Sequence, residues 1–218
     1  MKKILNIFAA SLLVTALSAC SPVVQSTASP TPSLSQPPTT AALDDYSYDE
    51  PFFSCAGTGD DVVQGLTVDD YSFLKVTHLG SGHFSIWAYY GDESDLLINT
   101  ISPYNQGCVL LNKGQEYTLE IKAENEWTLE AHKLGTSSSS SFCGSGDCVT
   151  PIFVAKSDIY EIKAEGDGHF AVWGYHDDGS RDLLVNTIDT YSGRVMFRRA
   201  TGKYTFFVIT GERDWTIL

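Results

Sequence analysis

Apolar and polar residues alternate with a period of two over much of the chain beyond residue 50. Tyr117, Leu119, Ile121 and Ala123 take turns with Thr118, Glu120 and Lys122, the pattern of a strand with one face buried and one wet. Leu74 and Val76 alternate with Lys75 and Thr77, and Tyr160, Ile162 and Ala164 with Glu161, Lys163 and Glu165. Turn formers separate such runs: Gly91-Asp92-Glu93-Ser94 and Asp177-Asp178-Gly179-Ser180 read as hairpin connections. No segment after the first twenty residues carries the 3.6-residue period of an amphipathic helix. Short strands with turns about every 8–12 residues predict an all-β protein, an antiparallel sandwich or small barrel.

The strand pattern occurs twice. Gly57-Thr58-Gly59-Asp60 returns as Gly144-Ser145-Gly146-Asp147, and Gly82-His83-Phe84-Ser85-Ile86-Trp87-Ala88-Tyr89 as Gly168-His169-Phe170-Ala171-Val172-Trp173-Gly174-Tyr175. Asp95-Leu96-Leu97 recurs as Asp182-Leu183-Leu184, Tyr117-Thr118 as Tyr204-Thr205, and Trp127-Thr128-Leu129 as Trp215-Thr216-Ile217. The offsets stay between 86 and 88, so single-residue insertions alone separate the copies. This self-similarity predicts two tandem β-sandwich domains, jelly-roll-like, over residues 51–131 and 142–218. A serine-rich linker over 132–141 is expected between them.

The start of the chain reads differently. Lys2 and Lys3 precede an apolar run from Ile4 to Leu17, about 14 residues and shorter than the ~20 that cross a bilayer as a helix. It closes on Leu17-Ser18-Ala19-Cys20, which resembles the bacterial lipobox. The resemblance implies a signal peptide over residues 1–19 and a lipid on Cys20, with palmitate among its chains, holding the protein to the extracytoplasmic side of a membrane. An outer-membrane destination stays open, because Ser21 is not an aspartate-type retention signal. Residues 20–50 begin with a Ser/Thr/Pro-rich stretch almost without large apolar side chains and are expected to be a disordered tether.

Charge narrows the partners. The chain carries 14 basic and 27 acidic residues. Removing residues 1–19 takes away Lys2 and Lys3 and no acid, leaving a net charge near −15. Such a surface excludes nucleic acid as a partner, since phosphate binding needs clustered cations. Gly-x-Ser-x-Gly, His-Glu-x-x-His, Walker and dinucleotide signatures are all absent, so a non-enzyme is expected.

Each repeat has a glycine-rich start, a strand opening Asp-Leu-Leu at Asp95 and Asp182, and a late strand opening Tyr-Thr at Tyr117 and Tyr204. In outline both copies resemble the pre-peptidase C-terminal domains found beside the catalytic parts of secreted bacterial proteins. The resemblance implies an accessory or binding module without chemistry of its own.

Alternation along the best-matched strand puts His83, Trp87 and Tyr89 on one face in the first copy, and His169, Trp173 and Tyr175 in the second. Two such rows are candidate ligand faces, suited to stacking on the sugar rings of a cell-wall or environmental polysaccharide; packing in the core is the alternative. A structural lipoprotein that binds an envelope protein is the competing functional class. Four cysteines remain after Cys20: Cys55, Cys108, Cys143 and Cys148. In an exported protein an even count points to two disulfides. If each domain is stapled separately, the pairs are Cys55–Cys108 and Cys143–Cys148; a zinc site is disfavoured because Cys-x-x-Cys knuckles are missing. No cofactor is expected, with calcium as the one candidate. Asp92, Glu93 and Asp95, Asp177, Asp178 and Asp182, and the turn residues Asp60, Asp61 and Asp147 are its potential ligands, although a solvated hairpin explains the same acids.

Overall fold

The computed structural model describes residues 49–218 together with Ala41–Ala42. The expected signal peptide, Cys20 and most of the expected tether lie outside the described residues. Among those described there is no helix, and the strands gather into four sheets.

Residues 53–133 supply β2 (Phe53–Thr58), β3 (Asp61–Val68), β4 (Ser72–His78), β5 (Phe84–Tyr90), β6 (Glu93–Thr100), β7 (Tyr104–Leu111), β8 (Gln115–Ala123) and β9 (Glu126–Lys133). They form one sheet of order β2-β9-β4-β7 and a second of order β3-β8-β5-β6. The later half supplies β11 (Phe142–Ser145), β12 (Cys148–Val149), β13 (Ile152–Val154), β14 (Ile159–Ala164), β15 (Phe170–His176), β16 (Arg181–Thr187), β17 (Tyr191–Met196), β18 (Tyr204–Gly211) and β19 (Asp214–Ile217). Its sheets run β11-β19-β14-β17 and β13-β18-β15-β16, with β12 also paired to β18. The same order recurs in both halves, that of an eight-stranded jelly roll, with β3 of the first half broken into β12 and β13 in the second.

The inward residues of each pair of sheets make one core. Leu74, Val76, Trp127 and Leu129 meet Leu66, Phe84, Ile86, Leu119 and Ile121 in the first half. Tyr160, Ile162, Trp215 and Ile217 meet Phe153, Phe170, Val172 and Phe207 in the second. The repeated Gly-x-Gly-Asp has a mechanical reading. Gly57 and Gly144 lie under the rings of Trp127 and Trp215, where a Cβ would stand 2.4 and 2.8 Å from ring carbons. Gly59 and Gly146 turn the chain with φ of 76° and 74°; their carbonyls accept the indole N–H bonds of Trp127 and Trp215 at 3.0 and 3.1 Å. Asp60 and Asp147 then accept the backbone N–H groups of Ala123 and Gly211, which end β8 and β18.

A third apolar cluster joins the halves. Tyr71, Phe73, Cys108 and Leu110 on the outer face of the β4–β7 sheet meet Val149, Tyr175, Phe206, Trp173 and Val208 on the outer face of the β18–β15 sheet. Tyr71 and Phe206 pack at 5.0 Å between ring centroids, and Tyr175 stacks on Phe206 at 5.0 Å and 14°. The expected serine linker is part of this joint. His132 and Lys133 still belong to β9, Leu134 donates its N–H to the Tyr71 carbonyl at 3.0 Å, and β10 (Thr136–Ser137) pairs in parallel with β13. Ser137, Ser139 and Ser141 close the turn through hydroxyl bonds to one another's backbone. Within the expected tether, Ala41–Ala42 form β1 in parallel with β11, satisfying backbone groups an edge strand leaves open.

Among the described residues no disulfide is seen, and the expected pairs Cys55–Cys108 and Cys143–Cys148 do not face each other. Cys55 on β2 and Cys108 on β7 occupy opposite edges of one sheet, with β9 and β4 between them; three strand spacings of about 4.8 Å exceed the ~7 Å limit on Cα separation in a disulfide. Cys148 contributes to the second core, whereas Cys143 follows the inward Phe142 on β11 and so takes that strand's other face.

Candidate functional site

The strand with the aromatic row, β5, lies between β8 and β6. Phe84, Ile86 and Ala88 point into the core, which turns His83, Trp87 and Tyr89 outward. Trp87 is 38% and Tyr89 41% exposed. A bulge falls at Trp87: Ile86 faces Ile98, but Trp87 faces Leu96, so Leu97 is the extra residue. This explains the paired leucines. Leu97 packs against the core, while Leu96 stays exposed beside the indole. The flanks of the row are polar. Tyr89 donates its hydroxyl proton to Glu120 at 2.8 Å, a bond that raises the tyrosine pKa. Lys122 reaches Asp60 at 3.1 Å and Glu120 at 3.6 Å, and the His83 Nε2 lies 3.1 Å from Asn99 Oδ1. A flat apolar strip is thus rimmed by fixed donors and acceptors.

The second row is a different surface. The bulge recurs, with Trp173 opposite Leu183, but Tyr175 is only 7% exposed and Trp173 is half-buried. The Arg181 guanidinium lies 4.9 Å above the Trp173 ring and donates to the Tyr175 hydroxyl at 2.7 Å. The reason lies on the neighbouring strand. Trp87 and Tyr89 pair with Glu120 and Thr118 on β8; Trp173 and Tyr175 pair with Val208 and Phe206 on β18. The apolar pair lets the first half dock there. Of the two expected ligand faces, the structure leaves open His83, Trp87 and Tyr89. Trp173 and Tyr175 belong to the joint, and His169 is exposed on the turn before β15.

Where the halves meet, a cleft of about 610 Å³ runs beside β6. Asn99, Tyr104 and Asn105 line it from the first half, and Asp147, His169 and Glu212 from the second. Its floor is pinned by both: Asp147 accepts the Tyr104 hydroxyl proton at 2.5 Å and the Gly211 N–H at 2.8 Å. Burial raises the Asp147 pKa, against the pull of those two bonds, and burial likewise pushes the Tyr104 hydroxyl up. Asp60, the same residue in the first repeat, is exposed and shifted down, chiefly by its bond to Lys122. Sequence reading named Asp147 only as a calcium ligand and passed over Leu96, Asn99, Asn105, Glu120 and Glu212. The substitution of Thr118 and Glu120 for Phe206 and Val208 was the available signal.

Three of the candidate calcium ligands bond to neighbouring side chains. Asp95 accepts from the Tyr90 hydroxyl, Asp178 from Ser180 and Asp182 from Arg198. Among the described residues no three His, Cys, Asp or Glu side chains gather around a metal-sized space. No protein-family model matches the chain, and no curated protein is significantly similar to it in sequence.

Proposed function

We propose that this protein is an extracytoplasmic lipoprotein, anchored through lipid on Cys20, whose β-sandwich halves act as a non-catalytic binding module for polysaccharide. The observation that carries the reading is the asymmetry between the two aromatic rows. Where the row is covered by protein, its neighbours on β18 are Phe206 and Val208; where it is open, the aromatics persist but their neighbours on β8 are Thr118 and Glu120. An aromatic strip with a polar rim matches a sugar ring, whose faces carry C–H groups and whose edge carries hydroxyls. The acidity of the chain favours a neutral glycan over a polyanionic one.

The test is a pull-down of the full chain on insoluble and soluble polysaccharides, followed by titration of Trp87→Ala. Truncation of a central aromatic anchor is expected to weaken binding by about 30-fold, in line with the ~2 kcal/mol of an interface hot spot. Unchanged binding with the fold intact would move the site off this face. For the anchor, labelled palmitate should enter the wild-type chain and not Cys20→Ala. The second reading, an envelope protein docking on the same face, draws on the covered counterpart at Trp173. It predicts capture of a protein, lost in Trp87→Ala, and no retention by any glycan.

A further inference from the structure

We infer that the cleft between the halves is a second saccharide subsite, continuous with the aromatic face, which reads the hydroxyl pattern of a neutral glycan lying across Trp87. This rests on the polysaccharide reading of that face. Asn99 is the link: it contacts His83 on the aromatic face and also lines the cleft. A chain stacked on Trp87 and Leu96 can therefore pass the edge of β6 and enter the cleft without leaving the protein surface.

The lining fits that task. At about 610 Å³ the cleft falls within the range of ligand sites, about 300–1,000 Å³. Asn99 and Asn105 each offer an amide donor and acceptor, and Glu212 a carboxylate acceptor, the groups that take paired hydroxyls. Among the described residues no lysine or arginine lines it. Arg213, next in the chain to Glu212, is buried and spends its guanidinium on the backbone carbonyls of Gly168 and Asp189. Asp147 and Glu212 therefore stand without a cation from Lys or Arg in the cleft, a setting that repels sulfated or uronic sugars. The floor is preorganised, because Asp147 is held at once by Tyr104 from one half and Gly211 from the other. A groove fixed in this way binds without ordering cost at its base.

The experiment uses the full chain and soluble neutral gluco-, xylo- and manno-oligosaccharides of two to eight units, with amine-bearing chitosan oligomers as a comparison. Affinities are measured by calorimetry for the wild type, Trp87→Ala, Asn105→Ala and Glu212→Gln, and amide chemical shifts locate the contacts. The expected result is affinity that climbs with chain length for at least one neutral series. Backbone shifts should appear at Asn105 and Glu212 as well as Trp87, and the preference for long over short oligomers should fall about tenfold in either cleft variant. Length-independent binding, with shifts confined to the face around Trp87, overturns the cleft and leaves the aromatic face standing. Binding of amine-bearing oligomers alone overturns the neutral-glycan assignment. Absence of binding by every series overturns the subsite and the polysaccharide reading together.

Discussion

Single residues decide how the two halves are built, and the repeated Gly-x-Gly-Asp shows how far sequence carries such an argument. Its recurrence was plain in the chain, but its purpose was not, because the tryptophans it serves lie about 70 residues further on. The first glycine exists because Trp127 lies against it, 2.4 Å from where a Cβ would stand. Gly57→Ala should therefore cost about 1–3 kcal/mol, the usual penalty for overpacking, read from urea denaturation; an unchanged midpoint would show that the ring moves freely. His78 supplies a second test. It is fully buried, stacked 4.4 Å from Phe84, with no hydrogen-bond partner among the described residues. Burial lowers its pKa, while Glu124 pulls weakly the other way. The unfolded chain takes up this proton near pH 6.5 and the folded chain resists it, so the contribution is whole above pH 6.5 and is lost as pH falls through the folded pKa. Ala164 holds the same place in the second half, opposite Trp215 as His78 is opposite Trp127. His78→Ala should accordingly lose less stability than the wild type between pH 7.5 and 5.0. Equal losses would mean that the folded imidazole is protonated as readily as the unfolded one.

At the scale of elements, alternation revealed the strands because one face of each must be buried. It could not reveal which outer faces stay wet. That property belongs to pairs of strands, and the pairing of β5 with β8 or β15 with β18 is absent from a one-dimensional pattern. The two aromatic rows therefore read as equivalent, when Thr118 and Glu120 on one neighbour and Phe206 and Val208 on the other make them opposites. The double substitution Thr118→Phe with Glu120→Val would give the open row the neighbours of the covered one. Each half should still fold, since Leu119 and Ile121 keep the inward face. The enlarged apolar patch should then drive association, visible in sedimentation as a concentration-dependent rise in mass, while glycan binding falls. A variant that stays monomeric would show that β8 does not set the fate of this face.

The whole molecule departs most from the sequence reading, which separated the copies at the serine run and expected each to carry its own staple. Serine runs do mark linkers when nothing holds them. Here Leu134 and Ile152 pack into the joint and the hydroxyls bond back to the chain, so the segment is fixed. The expected disulfides fail on geometry inside each half, where Cys55 and Cys108 sit on opposite edges of one sheet, while the halves themselves touch, the Cys108 N–H donating to the Asp147 carbonyl at 3.1 Å. Phe206 is the centre of that joint, 1% exposed and in ring contact with Tyr71 of one half and Tyr175 of the other. If the joint couples the halves, the wild type should unfold in one transition followed equally by tryptophan fluorescence and circular dichroism. Phe206→Ala should cost about 3–5 kcal/mol, as large aromatic truncations in cores do. That loss should fall largely on the contact between halves, so two transitions should appear where there was one. Trp87→Ala, on an open face, should keep the single transition and shift stability by only about 0.5 kcal/mol. A wild type that already melts in two steps would mean that the halves fold independently. The cleft would then depend on a contact too weak to hold its two walls together.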